Sequence, residues 1–352
     1  SPDFWGNDYF DDVYWRGKGE PPPQQNEANF ERHFGPLWYA FEHKNSWFVA
    51  LDSDEGDPAT GKYAFDTPAS QTMSAEQYAW LEDLLTVRAK DAENVFVFLH
   101  PPRWLKGNYG DDWDRVHRLL VRHGRVRAVF AGHIHRMRWD GVRDGIEYFT
   151  LATVGGDQEG FSSQGGYLHQ YDVVTVRKGQ LSIASYPVGA AMDPRAITGQ
   201  ISEEVARLSQ ALVTGRFVAR AAFATDLSVD DGTEFTVENV TTRPIEITAT
   251  PRSDDSRWTF VPDHVNRHVK PGETAVVGFR LRRKPGQVDE AFRAPLVDLD
   301  VEYLAASMRV PLRSRTWTLP VDGRTLPVPP TPDTERVLEF DGAHDALAIA
   351  NE

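Results

Sequence analysis

The chain contains no cysteine in 352 residues. That excludes a disulfide framework and every thiolate metal site, so any metal chemistry must use imidazole or oxygen ligands. No apolar run approaches the roughly 20 residues that a membrane-spanning helix needs, and no signal-peptide pattern opens the sequence. Positive charge is also short: 38 Lys and Arg face 52 Asp and Glu, leaving a formal net charge of −14. A field of that sign argues against nucleic acid or an anionic membrane as a general partner. A small phosphate ester escapes the argument when cations hold it, because bound ions dominate the local potential. No internal repeat of solenoid length is present.

What the chain does have is 40% hydrophobic residues, 26% charged and 11% aromatic, a composition that predicts a folded protein with room for two domains. Residues 1 to about 30 are aromatic and acidic, and the run Pro21, Pro22, Pro23 makes them read as loop. Two strand-rich runs follow, 37–41 and 47–51, separated by the polar turn at 43–46, which predicts a hairpin or adjacent strands. Ser74 with Gln77 three residues on is a capping-box pattern, and Tyr78, Leu81, Leu84 and Leu85 continue a helical stripe to about residue 90.

The apolar run 95–99 is of strand length and ends at His100, Pro101, Pro102. Asp111 and Asp112 open a second helix, with Trp113, Val116, Leu119 and Leu120 as its buried face and Gly124 as its stop. A further strand over 126–131 runs into Gly132, His133, Ile134, His135. Strand, helix, strand predicts a right-handed crossover with parallel strands, which puts His100 and the His133/His135 pair at one carboxyl edge of a sheet. Gly132 is expected to permit the bend that lets both histidines of the pair reach one site. Neutral imidazoles there suit zinc, iron, manganese or nickel. His117, His123, His264 and His268 are read as surface or satisfied core residues.

Strands are expected over 146–151, 171–176 and 181–186, and a connecting helix over 201–215. From 216 to 320 the apolar period changes to two, with turn signals at Asp231-Gly232 and Pro271-Gly272, which predicts an all-β, immunoglobulin-like sandwich. A Pro-rich linker over 321–336 follows.

The run ending in His100-Pro101-Pro102, the helix after it, and Ala131 to His135 resemble the last two metal motifs of the calcineurin-like metallophosphoesterases. Phe34-Gly35-Pro36, Leu51-Asp52-Ser53 and Gly155-Gly156 agree with that resemblance, which covers roughly residues 30–190. It implies an α/β chain with part of a four-layered α/β/β/α fold in residues 1–200. It also implies two divalent metal ions, with His100 and His133 on one and His135 on the other, and hydrolysis of a phosphate ester by a metal-bridging hydroxide. Arg103 and Trp104, just past His100, either line the substrate side or anchor a loop.

The family's earlier motifs, Asp-x-His, Gly-Asp and Asn-His, are absent in order. Gly6-Asn7-Asp8 echoes the third without its histidine, and Gly56-Asp57, Gly110-Asp111 and Gly156-Asp157 follow the wrong strands. The expectation is therefore a fragment of an active phosphatase or phosphodiesterase that holds little metal by itself, with a non-catalytic pseudoenzyme or binding module as the alternative. Residues 337–352 resemble the first strand of a laminin-G or concanavalin-A-like lectin domain. That resemblance implies a modular extracellular or periplasmic protein with a carbohydrate or surface ligand.

Overall fold

A computed structural model describes residues 25–53, 55, 71–177, 180–286, 291–322, 338–340 and 347–349. The chain divides into two compact units, Ser1–Ser202 and Glu203–Glu352. Gly6-Asn7-Asp8, Gly56-Asp57 and the linker beyond Asp322 lie outside the described residues.

In the first unit, helix α1 spans Gln25–Phe34, so the expected loop gives way to helix before residue 30. Strands β1 (Tyr39–His43) and β2 (Ser46–Ala50) form the predicted hairpin. Its two-residue turn has both central residues at positive φ, Lys44 at 49° and Asn45 at 58°, the geometry whose twist matches that of a hairpin. Helix α2 (Ala75–Asp83) continues as one π turn over Leu84–Arg88.

Ser74 caps α2 by accepting from the Gln77 N–H at 3.1 Å, but the reciprocal half of the box is absent. The Gln77 amide instead exchanges two 2.9 Å bonds with the backbone of Asp52, and Glu55 takes the Ser74 N–H at 2.6 Å. The cap therefore pins α2 to the end of β2.

Strand β3 (Asn94–Phe98), the short helix α3 (Lys106–Tyr109), helix α4 (Trp113–His123) and strand β4 (Val126–Ala131) complete the crossover. Gly124 stops α4 in the left-handed conformation, φ 73°, as its position predicts. Strand β5 (Arg138–Arg143) was not foreseen, while β6 (Ile146–Thr150) was. The six strands lie in the order β1-β2-β3-β4-β6-β5, with β2, β3, β4 and β6 parallel and β1 and β5 as antiparallel edges.

The sheet's two faces bury different side chains. On one, Leu81, Leu84 and Leu85 of the α2 region and Val116, Leu119 and Leu120 of α4 cover Val49, Val95, Val97 and Val129. On the other, Phe96, Phe130 and Phe149 pack with Ile183 of the separate hairpin β7 (Gln170–Arg177) and β8 (Gln180–Pro187). Each fully buried leucine here is worth about 2–5 kcal/mol against truncation to alanine. Helix α5 follows at Gly199–Ala211.

After the rest of α5, the second unit is built of strands, most of them in a four-stranded sheet and a five-stranded one. Phe235 of the first stands edge-on to Trp317 of the second, ring centroids 5.3 Å apart, so the sheets face each other as a β sandwich. Strands beginning at Ile245, Thr274 and Leu296 alternate buried and exposed residues as the period of two predicts. Pro271-Gly272 makes the expected turn, Gly272 at φ 72°. Asp231-Gly232 does not: both lie inside the strand Val229–Glu238, paired with Leu281 and Arg280. The C-terminal segment, expected as one strand, holds two short ones, Leu338–Phe340 and Leu347–Ile349, paired antiparallel.

Candidate metal centre

Because β3 and β4 are parallel and in register at Phe98 and Phe130, the residues leaving them emerge side by side. Leu99 N–H donates to the Phe130 carbonyl at 3.0 Å, and Gly132 N–H to the His100 carbonyl at 2.9 Å, which extends the ladder to the first histidine. The imidazoles of His100 and His133 stand edge to face, centroids 5.3 Å apart. Gly132 supplies neither the bend nor needed space: its φ is not left-handed, and a Cβ there would make an ordinary 3.5 Å contact with His100 Nδ1.

The bend is made by the histidines themselves. His133 has φ 70° and His135 φ 50°, left-handed conformations that cost a non-glycine residue on the order of 1 kcal/mol or more and that recur at functional sites. Neither appears in the sequence pattern, which had assigned the turn to Gly132.

Electrostatics favour the neutral form of His100 and His133. Burial first, then His133, lowers the pKa of His100 from its ordinary 6.5 to about 4. His133 is lowered too, by burial and then by the charge of His135 and of Arg103. His135 donates its Nδ1–H to the Asp157 carbonyl at 2.9 Å, which leaves Nε2 as the ring's lone-pair nitrogen. A backbone carbonyl fixing the tautomer from behind is the usual support of a ligating imidazole. The loop that supplies it is cramped: a Cβ on Gly156 would lie 2.9 Å from His135 Cε1.

Arg103 is buried, donates from Nε to the Ser53 carbonyl, and lies over the Tyr109 ring at 5.5 Å. Ser53 also binds the His100 N–H through its hydroxyl at 3.0 Å. Trp104 turns its indole N–H to Asp140 Oδ2 at 2.7 Å and packs edge-on to Tyr148 at 4.9 Å. His117 and His123 have protein partners, as a core reading expects: Tyr148 and Asp144 for the first, the Ala89 carbonyl for the second.

The donor chemistry of the three histidines fits first-row divalent ions, while their number falls short of two full coordination shells. Among the described residues no group of three or more His, Asp or Glu side chains is drawn together tightly enough to hold an ion.

A family model for calcineurin-like phosphoesterases matches residues 17–137, a span that contains all three histidines. No curated protein matches the chain. Among solved structures, a dimetal phosphatase from Danio rerio is 16% identical with a TM-score of 0.33, over 45% of this chain and 60% of that one. The chain thus spans less than two thirds of that protein's length. Native α2-macroglobulin from E. coli is 13% identical, TM-score 0.24, over 43% of this chain and 10% of that one. β-Glucuronidase 2 of Bacteroides uniformis is 16% identical, TM-score 0.22, over 36% of this chain and 14% of that one. The family match supports a phosphoesterase in general. Among the described residues no helix is long and apolar enough to cross a membrane.

Proposed function

We propose that the first unit is the histidine-bearing part of a phosphoester hydrolase, with His100 and His133 ligating one divalent ion and His135 a second. The observation that carries this reading is the delivery of His100 and His133 by adjacent parallel strand ends, with His135 locked in one tautomer by the Asp157 carbonyl. Divalent ions held there supply Lewis acidity toward a phosphoryl group. The chain's own share is to present neutral nitrogens and, through Arg103, a fixed positive charge beside His133 that favours an oxyanion.

Mn²⁺ titration of the purified full chain, followed on the imidazole NMR signals and with bis(4-nitrophenyl) phosphate as substrate, tests this. Weak Mn²⁺ binding that His100→Ala and His133→Ala abolish is expected. Two tightly held ions with turnover would refute the partial-centre reading, and imidazole signals indifferent to Mn²⁺ would refute the metal role.

A second reading, a binding module that keeps the fold without the chemistry, is favoured by the lack of a closed ligand group among the described residues. It expects the same fold with no Mn²⁺ response at any histidine.

A further inference from the structure

Strand β5 breaks register with β6 between Trp139 and Val142, so Asp140 and Gly141 form a bulge, with Gly141 at φ 91°. Bulges re-aim side chains. Here the re-aimed group is the Asp140 carboxylate, whose side chain is only 9% exposed. Burying a carboxylate is costly unless it is paired and hydrogen-bonded. Both conditions are met: Arg138, 6% exposed, reaches Oδ1 at 2.5 Å from Nη2 and 2.7 Å from Nε, and Trp104 donates its indole N–H to Oδ2 at 2.7 Å.

The position of this contact in the chain gives it a use. Trp104 lies four residues after His100, and Asp140 five residues after His135. The bond therefore closes a loop of chain from 104 to 140 that contains His133 and His135, and it is anchored four residues beyond His100. Between His100 and Trp104 the path is stiff: Pro101 and Pro102 restrict it, and the Arg103 and Leu105 N–H groups bond back to the Pro101 and Pro102 carbonyls at 2.9 Å each. On the other side, Met137 and Trp139 N–H groups tie the start of β5 to the Gly166 and Ile197 carbonyls at 2.8 Å each. A shift of Trp104 is transmitted to His100 with little slack.

We propose that Asp140 is a positioning residue for the histidine site: held by Arg138 at the bulge in β5, it fixes Trp104 and so sets His100 against His133. The proposal rests on the metal reading only for its purpose, since the geometry it controls exists without metal. It also recasts Trp104, whose indole N–H serves the scaffold.

Trp104→Phe is the informative variant, because it keeps an aromatic ring between Trp113 and Tyr148 while removing the N–H donor together with part of the indole. In the metal-free full chain, the imidazole ¹⁵N and ¹H signals of His100 are expected to shift while those of His117 stay in place. Mn²⁺ affinity is expected to fall about tenfold, the usual effect of losing an outer-shell partner. Asp140→Asn retains an acceptor for the indole and is expected to leave the His100 signals near wild type. His100 signals unchanged in Trp104→Phe would overturn the proposal, whatever the metal result. Shifted His100 signals in Trp104→Phe, alongside a wild type that never binds Mn²⁺, would uphold the positioning role and sink the metal reading instead.

Discussion

Adding one carbon to Gly156 should disable His135 while the same change at Gly155 does nothing. A Cβ at Gly156 would stand 2.9 Å from His135 Cε1, 3.3 Å from His135 Nε2 and 2.7 Å from Thr153 Oγ1. Favourable carbon contacts lie near 3.5–4.0 Å, so the imidazole must retreat by roughly 0.5–1 Å. Thr153 Oγ1 has little freedom to yield, because it accepts the Gly156 N–H at 2.6 Å.

Retreat of His135 breaks its bond to the Asp157 carbonyl, worth about 0.5–1.5 kcal/mol, and crowding adds about 1–3 kcal/mol. With roughly 3 kcal/mol as the middle of the sum, a unit of this size loses about 6–12 °C in Tm. Gly155 has nothing within 4 Å of its ideal Cβ, and neither glycine takes a left-handed φ, so Gly155→Ala isolates space as the single variable. The assay is calorimetric melting of both variants with the His135 ring signals read by NMR. Unmoved His135 signals in Gly156→Ala, or equal losses in the two variants, would refute the reasoning.

Two further perturbations probe the frame around the site. Tyr148→Phe removes the hydroxyl that Trp113 Nε1 reaches at 3.3 Å and that bonds His117 Nδ1 at 2.6 Å, leaving a buried ring nitrogen without its partner; about 1–3 kcal/mol should be lost at neutral pH, measured by urea unfolding. Burial raises the Tyr148 hydroxyl to about 12, above its unfolded value near 10, so its contribution is fully present below about pH 10 and is lost as pH rises through 12. The advantage of wild type over Tyr148→Phe should therefore shrink between those values, and a constant gap would count against it. Ser74→Ala deletes the α2 cap and the hydroxyl's 2.6 Å bond to Glu55, and is expected to cost about 1–2 kcal/mol by the same unfolding measurement; a loss under a few tenths would show that the cap is idle.

The crossover that places the histidines was legible because each piece announces itself locally: an apolar run of strand length, an acidic helix start, a glycine stop. Strand β5 was not, since Arg138, Asp140, Gly141 and Arg143 give it no apolar alternation; it exists through pairing with β6 and through one buried ion pair. Asp231-Gly232 misled for a related reason, as the partner strand Thr274–Arg283 holds both residues in the ladder despite their turn chemistry. At the site, residue identity at the strand ends pointed to His100, His133 and His135, and the structure brings the first two together. What orients them was out of reach: the Asp157 carbonyl, the Trp104 contact with Asp140, and two left-handed backbones depend on neighbours distant in sequence.

Those left-handed backbones at His133 and His135 set stability and chemistry against each other at the same two positions. Glycine would relieve the strain at both, on the order of 1–2 kcal/mol each, and would erase the nitrogens. Selection for thermostability alone would therefore drift toward a more robust scaffold with nothing to bind, while any lineage that keeps both imidazoles is holding them against the preference of its own backbone.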